Sequence, residues 1–363
     1  MANIKRIGVL TSGGDAPGMN VAVRAVVRKA IKEGLEVVGV IGGYDGLIND
    51  NVRVLDASSV SNIINQSGTF LYSNRCLEFK TEEGMAKAIA TCKKYEIDGI
   101  VCIGGDGTFR GATDLALRGI PTIGVTGTID NDITATDYTV GFDTAMNTVT
   151  EILDKLRDTC ESHARCNVVE IMGRDCGQLA LLSGIAGGAI DVYIPEIPSD
   201  ETSVINNIMY AKKNGKRGFV VAVSEGVFTT DENGKKIPYG EVLTKIIEEK
   251  TGVESRFVRL AHIVRGGTPS VRDRVTATKM GVHAVELLLD GKSNLVVIEE
   301  DGKIDSMDIV FALTVDKVYK KKMTLDEAKA KYDEAHIAEL ERIIAKRVAE
   351  NEELYALAQT VCN

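Results

Sequence analysis

A chain of 363 residues is too long for one simple core and predicts two domains of ordinary size. Its composition, 44% hydrophobic and 26% charged, is that of a globular protein, and a net charge of −9 argues against a nucleic-acid or membrane-surface partner, which would need a basic patch. Seven scattered cysteines without a C-x-x-C pair argue against a disulfide framework or zinc site, and the lack of an apolar leader or a spanning-length apolar run points to the cytoplasm.

Short β-rich runs alternate with amphipathic helical patterns, which predicts βαβ units and parallel sheets. Residues 6–13 (RIGVLTSG) read as a strand, 19–34 as a helix ending at Gly34, and 35–42 as the next strand. A helix ending at KKY leads into a strand at 98–105, a helix near 108–118, a strand at 121–125 and a long helix over about 142–163. The pattern then restarts, with strands predicted at 167–172, 191–196, 218–226 and 257–264. The tail from Thr324 is charged and strongly helical, and reads best as a solvated helix packed on one face.

Ligands of open parallel sheets bind beyond the carboxyl ends of the strands. Two Gly-rich turns occur there, TSGGDAPGMN (11–20) and IGGDGTFRGA (103–112), each opening a helix. Either one alone is an ordinary βα turn; two in one sheet favour phosphate binding by backbone N–H groups. Gly105, Gly107 and Gly111 space as G-x-G-x-x-x-G, one residue too long for the dinucleotide fingerprint, which excludes a dehydrogenase of that type. Asp106 inside the turn fits Mg²⁺ carried by a nucleotide, since Mg²⁺ takes one or two carboxylates together with phosphate oxygens. GTIDND (127–132) sets two carboxylates two residues apart after a buried strand. An Asx turn explains one such aspartate more readily than two.

Together, GVLTSGGDAPGMN, GGDGTFRGA, GTIDND, RDTCESHARCNVVEIMGR, IAGG and AHIVRGGTPSVRDR resemble the 6-phosphofructokinase family, in its order and at its spacings, from about residue 4 to 310. The resemblance implies two doubly wound, Rossmann-like α/β domains with mostly parallel sheets and a cleft between them. It implies transfer of the ATP γ-phosphoryl group to the 1-hydroxyl of fructose 6-phosphate, with Mg²⁺ as cofactor and a homotetramer as the assembly. The expected domains are 1–140 plus about 258–308 for ATP, 141–257 plus about 309–323 for fructose 6-phosphate, and a helical extension over 324–363.

By the same resemblance, Asp130 is the base for the sugar hydroxyl, Asp132 lies near the metal, and Thr128 positions the transferred group. Side chains two apart in an extended segment point the same way, so both carboxylates are expected to face the site. Asp106 matches the magnesium-binding aspartate. Gly14, Arg75, Cys76, Gly105, Asp106, Gly107, Thr108 and Gly111 match ATP contacts. Arg75 and Arg174 match arginines that meet transferring phosphate oxygens, where a planar fork suits spread charge. The sugar phosphate is expected to meet Thr128, Ile129, Asp130, Met172, Gly173, Arg174, Glu225 and the run His262, Ile263, Val264 and Arg265. Arg165 and Arg256, drawn from a neighbouring subunit, complete that clamp. His262, in an apolar run, would otherwise read as a core histidine.

Pyrophosphate-using relatives carry Asp at the position of Gly107 and Lys at that of Gly127; glycine at both predicts ATP as donor. Arg24, Arg28, Arg157 and Lys216 match part of an effector site for ADP or phosphoenolpyruvate. Ala57, Asn214 and Ile190 depart from it, so the effector response is expected to be weak or altered. Tyr44 matches an effector- or nucleotide-side tyrosine, with core packing an equal reading. A sugar-phosphate-sensing paralogue with a dead site would have no need of Asp130 or Asp106, and both are kept. The same chemistry on another sugar phosphate, or with pyrophosphate as donor, is the alternative.

Overall fold

The computed structural model describes residues 4–198 and 200–361, so the end of the predicted extension and Cys362 lie outside the described residues. The chain divides into two compact units. The first comprises 1–129, 133–144 and 265–343; the second comprises 130–132, 145–264 and 344–363. These bounds differ from the expected domains at five places, two of them being residues 130–132, which fall in the second unit, and 141–144, which fall in the first. In addition, residues 309–323 belong to the first unit, 258–264 to the second, and the tail is divided at Ile343.

The first unit opens with β1 (Arg6–Thr11), α1 (Met19–Lys32), β2 (Glu36–Val40), α2 (Tyr44–Ile48) and β3 (Val52–Leu55). It continues through α3 (Glu82–Lys94), β4 (Gly99–Gly104), α4 (Asp106–Ala116) and β5 (Thr122–Thr126). The second unit takes most of α5 (Phe142–His163), then β6 (Cys166–Ile171), α6 (Gln178–Ala186), β7 (Asp191–Tyr193), α7 (Thr202–Lys213) and β8 (Phe219–Ser224). A small hairpin of β9 (Phe228–Thr230) and β10 (Lys236–Pro238), α8 (Tyr239–Thr251) and β11 (Ser255–Arg259) follow. The chain then re-enters the first unit with α9 (Val271–Leu289), β12 (Leu295–Glu300), β13 (Lys303–Asp308), α10 (Ile309–Tyr319) and α11 (Leu325–Lys329), and ends on α12 (Glu334–Val361).

The first sheet has the order β13-β12-β5-β4-β1-β2-β3, parallel except at its two edges. Central strands such as β4 (GIVCIG) are buried on both faces, hence their unbroken apolar runs. The chain steps from β1 to β2 on one side and later to β4 on the other, so the switch of strand order falls between β1 and β4. The two Gly-rich turns leave those two strands. Helix α1 ends as its sequence predicts: Gly34 is left-handed (φ 80°), its N–H donates to Ile31 and that of Leu35 to Ala30, which satisfies the last carbonyls. The second sheet is parallel throughout, in the order β11-β6-β8-β7.

The strands predicted at 6–13, 35–42 and 218–226 end two residues early, and two others stop three or more residues short. The run at 257–264 is extended only to Arg259; Ala261 takes φ 47° and the chain turns into a 3₁₀ helix over Ala261–Arg265. The run at 191–196 stops at Tyr193, two residues before Pro195, which has no N–H to give to a ladder. The tail behaves as a helix packed along one face: Ile337, Leu340, Ile343, Arg347, Asn351 and Ala358 are its buried residues at three-, four- and seven-residue steps.

Candidate active site

In the first unit the strand ends offer backbone. Gly18 and Gly105 precede α1 and α4 with no side chain capping either helix, which leaves first-turn N–H groups for an anion. The two turns are tied together: the Ser12 N–H donates to the Ile103 carbonyl (3.0 Å) and the Thr108 hydroxyl to the Ser12 carbonyl (3.0 Å). A Cβ on Gly104 would lie 2.3 Å from the Ser12 carbonyl oxygen, so this approach requires glycine. Ser73 donates to the Gly13 carbonyl (2.6 Å) and thereby seats the segment bearing the exposed Arg75 and half-buried Cys76 against the first turn. The Gly127 N–H bonds the Gly104 carbonyl (2.9 Å), which sets Thr128 beside Gly105.

Asp106 is the first residue of α4, not a loop residue, and pairs with Arg110 one turn on (2.7 Å). Its side chain keeps 27% of its surface exposed. Around Gly107 a Cβ would meet nothing within 4 Å. Gly111 is different: a Cβ there would fall 2.6 Å from the Tyr44 ring. Gly111 is thus a packing position, and Tyr44 is a core residue, stacked on Phe79 at 4.1 Å with its hydroxyl donating to the Thr108 carbonyl. Gly127 is enclosed too, by Met19 at 3.1 Å from such a Cβ. Arg265 lies in this unit, buried, with its guanidinium over Gly14 and donating to the Asp15 carbonyl (3.1 Å).

The second unit offers side chains, and it includes residues 130–132 of the segment that follows β5. Asp130 is fully buried, with its carboxylate 3.2 Å from Arg174 Nε, and Asp132 lies 3.8 Å from Arg174 Nη1. The two carboxylates meet one guanidinium, but not by strand alternation as expected. Asn131 between them is left-handed (φ 48°), so the segment is a turn and Arg174 brings the pair together. Gly173 (φ 148°) and Arg174 (φ 52°) form a second tight turn just past β6, and Glu225 accepts from both of their N–H groups, at 3.1 and 2.9 Å. Met172 is buried. His262 and Ile263 are exposed on the 3₁₀ helix, which excludes a core role for the histidine. Ile129 and Val264 are fully buried, as Asp130 is.

Arg165 and Arg256 come together on Glu254, Arg165 Nε at 2.8 Å and Arg256 through its own ion pair. Hydrogen bonding from Arg165 holds the Glu254 carboxyl below its ordinary range. Of the expected effector residues, Arg24 is half-buried and Arg28 exposed one turn apart on α1. Lys216 is exposed, and Arg157 packs against Gly188. Ile190 lies in the apolar core around Cys166, Val168 and Tyr193.

The sequence profile of the phosphofructokinase family matches residues 6–288. The chain belongs to the phosphofructokinase family. It is 49% identical over 318 residues to ATP-dependent 6-phosphofructokinase of Clostridioides difficile (strain 630), covering 88% of this chain and 97% of that protein. It is 50% identical over 324 residues to the same-named protein of Bacillus pumilus (strain SAFR-032), covering 89% and 97%. Among solved structures it resembles phosphofructokinase from Saccharomyces cerevisiae, with a TM-score of 0.80 and 31% identity over 94% of this chain; it spans half the length of that yeast chain. A pyrophosphate-dependent phosphofructokinase from Nitrosospira multiformis shares the fold, with a TM-score of 0.74 at 21% identity, covering 85% of this chain and 84% of that one.

Several residues take on structural roles that sequence reasoning did not assign, although Asp273 lies within AHIVRGGTPSVRDR and Asn131 within GTIDND. Asp273 is fully buried and accepts from Tyr138 (2.5 Å), Gly141 N–H (2.6 Å) and Thr144 N–H (2.9 Å), fixing the chain at the start of α5. Asn131, Gln178 and Asn351 form a buried amide chain. The only sign of Asn351 in the sequence is a polar residue on the otherwise core-facing stripe of the tail. No helix among the described residues is long and apolar enough to cross a membrane.

Proposed function

We infer that the chain is an ATP-dependent 6-phosphofructokinase, transferring the ATP γ-phosphoryl group to the 1-hydroxyl of fructose 6-phosphate. The observation that carries this reading is the near-50% identity, over almost their whole length, to proteins of that name. The open space at Gly107 supports ATP over pyrophosphate, because nothing there repels a nucleotide α-phosphate.

Phosphoryl transfer asks for alignment, neutralised charge and a base. In our reading the uncapped first turns of α1 and α4 hold the nucleotide phosphates, with Arg75 and Cys76 completing that side. Asp106 suits a magnesium ion that arrives with the nucleotide: it is a single, partly exposed carboxylate beside open glycine, and Mg²⁺ uses few protein ligands and keeps its waters. Bound there, the ion would supply charge neutralisation on the phosphate oxygens. Asp130 takes the proton of the sugar hydroxyl. Arg174, 3.2 Å from the Asp130 carboxylate, serves the transferring phosphoryl oxygens. Thr128 and Asp132 orient the reacting groups. Glu225, Met172, Gly173 and His262 contact the sugar, and Arg265 meets its phosphate. Arg165 and Arg256, already clustered on Glu254, serve a neighbouring subunit in a homotetramer of the cytoplasm.

Asp130→Asn tests this reading. The variant keeps the shape of the side chain and loses the base, so kcat should fall about 10²–10⁴-fold, as removal of a general base does. A coupled assay showing a loss of only a few-fold would remove Asp130 from that role.

A further inference from the structure

We propose that the C-terminal helix α12 is part of the catalytic apparatus, with Asn351 as a positioning residue that holds the Asp130–Asp132 turn through Gln178 and Asn131. This rests on the reading of that turn as the seat of the base.

Asn131 Nδ2 donates to Gln178 Oε1 at 2.6 Å, and Gln178 Nε2 donates to Asn351 Oδ1 at 3.0 Å. All three residues are at least 97% buried and lie in the second unit. An amide can be placed either way round, and each link fixes the next: because Asn351 accepts, Gln178 must present its oxygen to Asn131. Asn131 needs such support. Its left-handed backbone is uncommon for a residue with a side chain, and it stands between the two carboxylates. Cys176 adds a weak bond from Sγ to the Asn131 carbonyl (3.6 Å).

One turn before Asn351, Arg347 is also buried; burial pushes the Glu196 carboxyl above its ordinary value, and the Gly177 N–H and the Arg347 charge offset part of that rise. Glu196 in turn accepts from the N–H of Gly177, the residue before Gln178, at 2.8 Å. The buried face of α12 is apolar through Ile343 and polar at Arg347 and Asn351. A helix present only to cover a core would keep that face apolar, since a buried polar group gains little net stability and costs about 1–3 kcal/mol when its partner is lost. Of these residues, Arg347 and Asn351 lie beyond residue 288, where the family profile ends, whereas Asn131, Gln178 and Glu196 lie within it.

The test is a double-mutant cycle in the full chain, with Asn351→Ala and Gln178→Ala made singly and together. Each single change should lower kcat about tenfold with the KM for ATP nearly unchanged, and the pair should lose no more than the worse single, as expected for residues acting in one chain of contacts. Losses that multiply, or an Asn351→Ala enzyme with parental kcat, would overturn the proposal. Where alanine prevents folding, Asn351→Ser takes its place, read by hydrogen exchange; faster exchange confined to 128–133 supports the link, and unchanged exchange there refutes it. Asp130→Asn keeps the two readings apart. Near-parental turnover in that variant would remove the base and leave a coupled loss at Asn351 and Gln178 standing, whereas a large loss there with parental Asn351→Ala removes only the relay.

Discussion

The candidate site residues of the two units are of opposite kinds. In the first they present glycine and main chain: Gly104 allows close approach to the Ser12 carbonyl, Gly107 faces open space, and α4 begins without a side-chain cap. The second presents charge: Asp130 and Asp132, on the segment that follows β5, meet Arg174, Glu225 grips the turn that carries Arg174, and at the amino ends of β6 and β11 Arg165 and Arg256 share Glu254. The difference teaches how an acidic chain handles two anions. Polyphosphate is met by many fixed N–H dipoles that need no net charge, whereas a sugar phosphate and a moving proton need groups that can ionise and swing.

The contrast breaks most sharply at Gly107. In Gly107→Asp a Cβ meets nothing, and a carboxylate in the first turn of α4 suits the helix dipole, so the fold should keep its stability. A like charge ~4 Å from an α-phosphate costs about 4 kcal/mol at an effective dielectric of 20. The expected result is a loss in kcat/KM for ATP approaching a thousandfold, with melting temperature unchanged; initial rates across ATP concentrations measure it. If ATP use survives, the open glycine is not what admits the nucleotide.

Glu225→Ala probes the other unit. It removes two hydrogen bonds from a carboxylate to the Gly173–Arg174 turn, bonds of a kind that contribute ~1.5–3 kcal/mol each. Activity at limiting fructose 6-phosphate should drop about ten- to a hundredfold while the KM for ATP stays near the parent value, which steady-state kinetics in both substrates would resolve. A matching loss for both substrates would erase the division of labour drawn here.

A smaller effect separates the cysteines. Burial pushes the Cys92 and Cys102 thiols up to about 12, and Cys160, Cys166 and Cys176 are buried as well, while Cys76 is half-exposed beside the first-unit turns. Peptide-resolved alkylation of the folded protein should mark Cys76 well before those five, and ATP should slow that reaction a few-fold if Cys76 lies on the nucleotide side.

How much of this was legible beforehand depended on distance along the chain. The βα turns at 11–20 and 103–112 could be read because strand, glycines and helix are consecutive, and the alternation of α and β patterns gave the fold class. The Asp130–Asp132 segment could be read as chemistry but not as shape. A left-handed Asn131 between strand and loop leaves no periodic trace, so extended geometry was expected where a turn is found. The strand at 257–264 was overread for a similar reason, since its apolar run continues past the point where Ala261 turns the backbone. The tail was legible as a one-sided helix. Its division at Ile343, and the return of 309–323 to the first unit, follow from packing that no local pattern encodes.

Sequence by itself determined the alternating α/β architecture, the glycine turns, the family and the carriers of charge, because each is written in consecutive residues whose backbone and periodic preferences are local. Tertiary structure decided which groups meet: Arg174 with Asp130, Arg165 with Arg256 on Glu254, and Asn351 with Gln178 across 173 positions. Those pairings arise from the order of strands in a sheet and the burial of a helix face, and a polar group taken from water must find its partner wherever the fold has brought one.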